Sequence, residues 1–330
     1  MTVPIRQHTI NTPYLIGEVH CYSTEIDGEL ALFDCGPPTA EAFAFLQAQL
    51  DLSRVKYLFL THCHIDHYGL AARIAQTSGA TILIPRADAV RIRHRSRCLD
   101  HLLDLLTDIG CDGSITRQIR EKSEQEHQKV EFPLQFEIVE ESDLPARLGI
   151  EVLTCPGHSQ SDLVYLHGAD AVSGDILLRN IFQVPILDVD LGTFSGRFRN
   201  YDAYCESLLS LQKMRGYRIL PGHRWYVESL DATVLSYAGT LLRRADQVKG
   251  YPPTASVVEI ARGLYGDIFK NPFFVHMKIS EIVFALDFLA NPGLLRANLA
   301  AIGLFETVAT LYHSVVTGDV GEDRPLYSAA

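Results

Sequence analysis

The sequence predicts an α/β fold with an all-helical C-terminal region, and three observations carry that prediction. Apolar strand-like runs alternate with helically spaced segments through the first two thirds of the chain. Several of those runs end in a small-residue turn that presents a histidine or an aspartate. Beyond His223 the strand pattern stops and helix follows helix.

The elements follow in order. Tyr14 to Cys21, Ser23 to Ile26 and Leu30 to Phe33 read as strands around a hairpin-type turn at Asp27-Gly28. Thr39 to Leu50 has helical spacing, with Phe43, Leu46 and Leu50 on one stripe. The apolar run Val55 to Leu60 reads as a buried strand, His67 to Gln76 as the helix after it, and Ala80 to Ile84, closed by Pro85, as a further strand.

Thr61-His62-Cys63-His64-Ile65-Asp66-His67 packs three imidazoles and a carboxylate directly behind the Val55–Leu60 run. Strand alternation would send His62, His64 and Asp66 to one side, with His67 turning elsewhere as a helix begins. Imidazole nitrogen and carboxylate oxygen are ligands for zinc and other borderline first-row ions, and the geometry suits two neighbouring metals. Three turns downstream add candidates: His158 in Pro156-Gly157-His158-Ser159, Asp175 in Ser173-Gly174-Asp175, and His223 in Pro221-Gly222-His223. Glycine before each lets the backbone turn sharply and approach an ion.

This set of motifs resembles the metallo-β-lactamase superfamily of metallohydrolases, from the N-terminus through His223. The resemblance implies a four-layer αβ/βα sandwich. It implies that His62, His64 and His158 hold one metal, that Asp66, His67 and His223 hold a second, and that Asp175 bridges them. Leu32-Phe33-Asp34-Cys35-Gly36 is similar to the family's first motif, so Asp34 is expected to support the ligands without binding metal. The implied cofactors are two divalent ions, zinc foremost, with iron and manganese tolerated by the same ligands. They would generate a bridging hydroxide as nucleophile, with Asp66 as the catalytic residue that orients it and relays a proton.

Within the superfamily the motifs look most like the glyoxalase II-like branch, which implies hydrolysis of an ester-like acyl bond, a thioester first. A lactone hydrolase would use nearly the same site. A true β-lactamase is disfavoured because Asp175 stands where many such enzymes carry a zinc-binding cysteine, and a diiron flavoprotein because it usually has an acidic residue at the position of His64. A mononuclear-iron sulfur dioxygenase, an RNase Z-like phosphodiesterase and a non-enzymatic metal-binding regulator are the other classes, separable by metal content and substrate panel. No Gly-x-Ser-x-Gly elbow is present.

Composition fits an ordinary soluble enzyme, for which a small-molecule substrate is the expected partner. With 330 residues, 47% hydrophobic, there is chain enough for a large domain and a smaller one. The formal net charge of −11 argues against nucleic-acid or anionic-membrane partners. Seven scattered cysteines without a Cys-x-x-Cys pair, and an N-terminus unlike a secretory signal, lead to an expected cytoplasmic location. Cys63 and Cys155 are expected to be small buried residues and not ligands.

The expected organisation is a catalytic domain over 1–230, interrupted by a helical insertion at about 86–131, and a helical domain over 231–330. The insertion carries a basic run, Arg91, Arg93, His94, Arg95 and Arg97, ahead of the apolar face Leu99, Leu102, Leu103, Leu105, Leu106 and Ile109. A solvated face is expected for the basic run, with an anchor for an acidic substrate group as the functional alternative. The loop from Leu177 to Asn200 holds Phe182, Phe194 and Phe198, which either wall a pocket or pack the loop down. Tyr165, Arg224 and Tyr226 are weak candidates for substrate contacts, and substrate-binding residues are otherwise unassigned.

In the C-terminal region a helix from near Asp231 to Val248 is expected to stop at Gly250-Tyr251-Pro252-Pro253, with Thr254 as N-cap of the next over Ala255 to Leu264. Ile279, Ile282, Val283, Leu286 and Leu289 mark an amphipathic helix ending before Asn291-Pro292-Gly293. Phe273 and Phe274 are expected in ordinary core packing, and the tail after Gly318 to lack order. A homodimer is the assembly that the apolar surface of the helical C-terminal region admits.

Overall fold

The computed structural model describes residues 4–133, 135–266 and 271–318, so the tail after Gly318 lies outside it. Two sheets face each other. The first is built from β1 (Arg6–Ile10), β2 (Val19–Ile26) and β3 (Glu29–Phe33), followed after helix α1 (Ala40–Gln49) by β4 (Val55–Phe59). After α2 (Ile65–Tyr68) and α3 (Ala71–Ser78) comes β5 (Thr81–Ile84), and after α4 (Arg86–Arg93), α5 (Arg95–Asp108) and α6 (Gly113–His127) comes β6 (Glu137–Ile138). Its strand order is β1-β2-β3-β4-β5-β6, antiparallel at first and parallel from β3 onward. The second sheet follows α7 (Leu144–Arg147) and contains β7 (Glu151–Thr154), β8 (Leu163–His167) and β9 (Asp170–Gly174), then, beyond α8 (Asn200–Leu211), β10 (Arg218–Pro221), in the order β10-β9-β8-β7.

Strand periodicity separates two cores. Phe33, Phe59 and Leu83 share one register row and point between the sheets, where they meet Tyr165, Val172 and Leu220. Leu32, Leu58 and Ile82, one residue earlier, point the other way, onto Phe43 and Leu46 of α1 and Ile74 of α3. Phe33 and Phe59 stack with ring centroids 5.3 Å apart. Tyr165 also packs there, and its hydroxyl donates to Leu60 O at 2.6 Å, which places it in the core and away from any substrate.

The outer face of the second sheet, with Leu153, Val164, Leu166 and Ala171, is covered by α8 and by α9 (Leu230–Lys249), α10 (Val257–Tyr265), α11 (Pro272–Ala290), α12 (Pro292–Ala301) and α13 (Phe305–Thr317). The layers are therefore helix, sheet, sheet, helix, and the C-terminal helices share an uninterrupted core with the second sheet. Leu103 and Leu106 of α5 and Ile115 and Ile119 of α6 join the same core, so the insertion is packed down. Among the described residues no single helix is long and apolar enough to cross a membrane.

Three local expectations are corrected and one holds. Tyr14 is not in a strand: β2 begins at Val19, and the preceding strand is β1, whose polar sequence Arg6-Gln7-His8-Thr9-Ile10 hid a buried His8. The Asp27-Gly28 hairpin is present, both residues having positive φ, as a tight primed turn requires. The expected helix His67–Gln76 is broken at Gly69-Leu70, where Gly69 lies so close to Pro38 that a Cβ would meet its Cδ at 2.3 Å. The N-cap of α10 is Ser256 and not Thr254; Ser256 and Glu259 form a reciprocal capping box, which outcompetes a lone threonine. The side chain of Phe273 lies outside the described residues, while Phe274 is half-buried.

Candidate metal centre

Every candidate ligand sits just beyond the C-terminal end of a strand. The segment after β4 carries His62, His64, Asp66 and His67; the turn after β7 carries His158; Asp175 follows β9 and His223 follows β10. Strand alternation does not place the first motif, because β4 ends at Phe59. His64 is the residue before α2, and Asp66 and His67 occupy successive positions on that single helical turn. Glycine is required where strands β9 and β10 meet the site: Gly174 has φ +51, and a Cβ on Gly222 would lie 2.4 Å from Asp175 Oδ1 and 2.6 Å from His67 Cε1.

The seven side chains converge as two groups. His62, His64, His158 and Asp175 form one, and Asp66, His67 and His223 the other, with candidate ligand atoms inside each group within 4.8 Å of one another. Asp175 touches both: its Oδ1 lies 3.4 Å from His67 Nε2, while Oδ2 lies 3.4 Å from His223 Nε2 and 3.8 Å from His158 Nε2. Cys63 belongs to neither group. It is half-buried, Cys155 is buried, and all seven cysteines are free thiols.

The outward ring nitrogens fix the tautomers. His67 Nδ1–H donates to Asp34 Oδ2 at 2.8 Å, His158 Nδ1–H to Val184 O at 2.7 Å and His223 Nδ1–H to Glu18 O at 2.6 Å. Thr61 Oγ1–H donates to Asp34 Oδ2 at 2.8 Å, which leaves its oxygen to accept from His62 Nδ1–H at 3.0 Å. Each of these rings therefore turns Nε2 inward. There the nitrogens crowd: His62 Nε2 and His158 Nε2 each lie 3.0 Å from His64 Nδ1, and His67 Nε2 lies 3.4 Å from His223 Nε2. Such spacings are close to the edge of a tetrahedron whose metal–nitrogen distance is about 2.0 Å.

Charge points the same way. Burial opposes protonation of His67 and His223, yet Asp175 with Asp34 raises His67 well above the ordinary imidazole range, and Asp175 with Asp66 brings His223 up to about 10. Burial and the neighbouring imidazoles push His62 well down, and burial with His158 takes His64 down to about 3. Burial works against the charged carboxylates, but the facing histidines hold Asp66 below, and Asp175 well below, the usual range. Asp175 Oδ1 is buried without a hydrogen-bond donor. A pocket of inward ring nitrogens, ionised carboxylates and one orphaned oxygen is a fit for divalent cations, which would displace the protons from His67 and His223.

Several supporting residues gave little sequence signal. Asp88, in the first turn of α4, is buried and accepts the Cys63 N–H at 2.8 Å. Asp162 closes the turn around His158, accepting Ser159 N–H and Oγ–H at 2.7 Å each, and burial pushes its carboxyl up to about 6. The three-residue spacing of Ser159 and Asp162 was the available cue. The basic run is largely spent on structure: Arg91 pairs with Asp88 and Asp188, Arg93 lies over Phe136 and Arg97 over Phe194. Phe194 and Phe182, the latter against Tyr237 and Phe284, pack the 177–200 loop down. Arg224 and Tyr226 are exposed beside His223, and the Arg224 carbonyl is taken by the His20 ring.

The comparisons agree with this geometry. Over 312 residues the chain is 27% identical to "Probable metallo-hydrolase YqjP" of Bacillus subtilis (strain 168), covering 85% of this chain and 90% of that protein. A metallo-beta-lactamase family protein of Thermus thermophilus superposes with TM-score 0.72 at 19% identity, covering 88% of this chain and 94% of that one. A beta-lactamase domain protein of Burkholderia ambifaria superposes with TM-score 0.69 at 19% identity, covering 88% and 87%. The family model "Metallo-beta-lactamase superfamily" matches residues 16–223, a span that opens at the loop before β2 and closes on His223, and the chain belongs to that superfamily of metallo-hydrolases.

Proposed function

We propose that this metallo-hydrolase works with two divalent ions, zinc foremost, and cleaves an ester-like acyl bond of a small molecule, a thioester first. The observation that carries the dinuclear reading is Asp175, whose Oδ2 lies near both His158 of one group and His223 of the other while its Oδ1 faces His67. His62, His64 and His158 would hold one ion, Asp66, His67 and His223 the other, and Asp175 both. Ions bound there would supply Lewis acidity toward the acyl oxygen and an activated water near neutral pH. The preference for an acyl bond rests on the motif likeness to the glyoxalase II-like branch and on Asp175 standing where many β-lactamases carry cysteine.

The protein's own residues have defined tasks in this reading. Asp34, Thr61, Glu18 and Val184 hold the imidazole rings in one tautomer and one plane, so that ordering cost is met on folding and not at binding. Asp66 Oδ2 lies 3.4 Å from His223 Nε2 and is ionised, which makes it the acceptor for the proton lost by attacking water and the donor to the leaving group.

Elemental analysis of freshly purified protein, run beside a panel of thioesters, lactones and phosphodiesters, tests the proposal. Two metal equivalents per chain and thioester turnover that disappears in Asp175→Ala, with the fold retained, are expected. One equivalent of iron with persulfide-dependent oxygen uptake, or cleavage of bis(4-nitrophenyl) phosphate alone, would overturn it.

A further inference from the structure

We infer that helix α11 is a working part of the metal centre: His276 and Ser280 are positioning residues that set the orientation of His158 through the strap 183–191. The inference rests on the reading of His158 as a metal ligand. It adds residues from the helical region, remote in sequence from every candidate ligand.

His158 differs from the other histidines in what holds it. His67 leans on a buried carboxylate, Asp34, and His62 on the adjacent Thr61. His223 leans on Glu18 O, immediately before strand β2. The partner of His158 Nδ1–H is Val184 O, within a stretch between β9 and α8 that contains no helix or named strand. A carbonyl in irregular backbone orients a ring only as well as the backbone itself is held.

That backbone is anchored one step further on. Ile186 N–H donates back to His158 O at 2.8 Å, closing a loop of chain around the ring. Leu187 is then gripped at both of its peptide groups: its N–H donates to Ser280 Oγ at 2.9 Å, and its carbonyl accepts from His276 Nε2–H at 2.8 Å. Ser280 Oγ–H donates in turn to His276 O at 2.7 Å, so the two grips share one turn of α11. Pro185, between Val184 and Ile186, has a fixed φ and biases Val184 to extended backbone, which stiffens the link from Leu187 to the Val184 carbonyl.

Other contacts hold the strap but do not replace this grip. Gln160 bonds Val189 O at 2.6 Å and Leu191 N at 3.1 Å, Arg91 pairs with Asp188, and Arg197 pairs with Asp287, lower on α11, at 2.7 Å. All of these lie beyond Leu187 as seen from His158. Removing the α11 grip would leave the chain between Val184 and Asp188 held only by the Ile186 N–H bond to His158 O, with the Tyr237 hydroxyl holding Gln183 on the other side.

The test compares His276→Ala, Ser280→Ala and His276→Gln with the wild type by chelator competition for zinc and by the visible spectrum of the cobalt(II)-substituted protein. His276→Ala and Ser280→Ala are expected to weaken metal binding by about 10-fold to 100-fold and to shift the cobalt bands, and His276→Gln, which keeps an N–H donor, to recover most of both. Val315→Ala, on α13 where it packs against α9, controls for a generic loss of stability and is expected to leave the cobalt spectrum unchanged. Unchanged zinc affinity and an unchanged spectrum in both alanine variants, with the wild type metal-loaded, would overturn the inference alone. A wild type that binds no metal would overturn the functional reading and this inference with it.

Discussion

The Asp34 carboxylate and the His67 ring lie 2.8 Å apart, Oδ2 to Nδ1, and the same carboxylate takes the Thr61 N–H on Oδ1 and the Thr61 hydroxyl on Oδ2. Because Thr61 Oγ1 then accepts from His62, one buried side chain orients a histidine in each of the two groups. Asp34 has φ +55, a left-handed conformation that asparagine also tolerates. Asp34→Asn is therefore expected to keep the backbone while exchanging an acceptor oxygen for a donor, and to weaken metal binding by about 10-fold to 100-fold. Chelator competition measures it, and an affinity equal to the wild type would contradict the relay.

Gly222 offers a second, steric test. The closest approach of the backbone to the site leaves room for hydrogen only, since a Cβ would meet both Asp175 Oδ1 and His67 Cε1 well inside contact distance. The peptide is also pinned, its N–H to Gly174 O at 2.8 Å and its carbonyl to His20 N–H at 2.7 Å. The backbone cannot shift away without breaking those bonds. Gly222→Ala should retain the fold by circular dichroism and lose bound metal, with Asp175 and His67 pushed apart.

Proton counting probes the charge of the site directly. Without metal, the surrounding carboxylates keep His67 and His223 protonated at neutral pH. Metal and proton compete for the same Nε2 lone pairs, so loading at pH 7 should release roughly two protons per chain. Calorimetric titration with zinc in two buffers of different ionisation enthalpy gives that number. No release would mean that the carboxylates do not control these rings as described.

The seven candidate ligands stand out in the sequence because each lies in a short motif with its own turn chemistry, such as Pro-Gly-His, that survives without knowledge of distant contacts. The alternation of runs carries the α/β class, while the four-layer sandwich is what the family resemblance implies. What sequence could not supply was geometry set by partners far along the chain. Polar β1 reads as a loop until its pairing with β2 is seen, and Thr254 looked like a cap because the rival box at Ser256 needs its glutamate in place. The basic run resolved only when Asp188, almost a hundred residues on, was found against Arg91. The grip of Ser280 and His276 on Leu187 is of the same kind: side chain to backbone, across elements, with no periodicity to reveal it.

Strand β1 supplies a stability test independent of the metal. His8 is buried, its Nε2 is 2.8 Å from Ser23 Oγ, and burial together with the charge of Arg6 takes its pKa down to about 4. In the unfolded chain it returns to about 6.5, so between those values the unfolded state binds the extra proton and folding weakens as pH falls. Above about pH 6.5 the ring is neutral in both states and the effect vanishes. Urea unfolding of wild type and His8→Gln, both metal-free, at pH 7.5 and pH 5 isolates it, because groups common to the two proteins cancel in the difference. The wild type should lose on the order of 1 kcal/mol more than the variant over that interval after solvent screening is allowed for. Equal losses would mean that the ring of His8 is free to take up its proton in the folded protein.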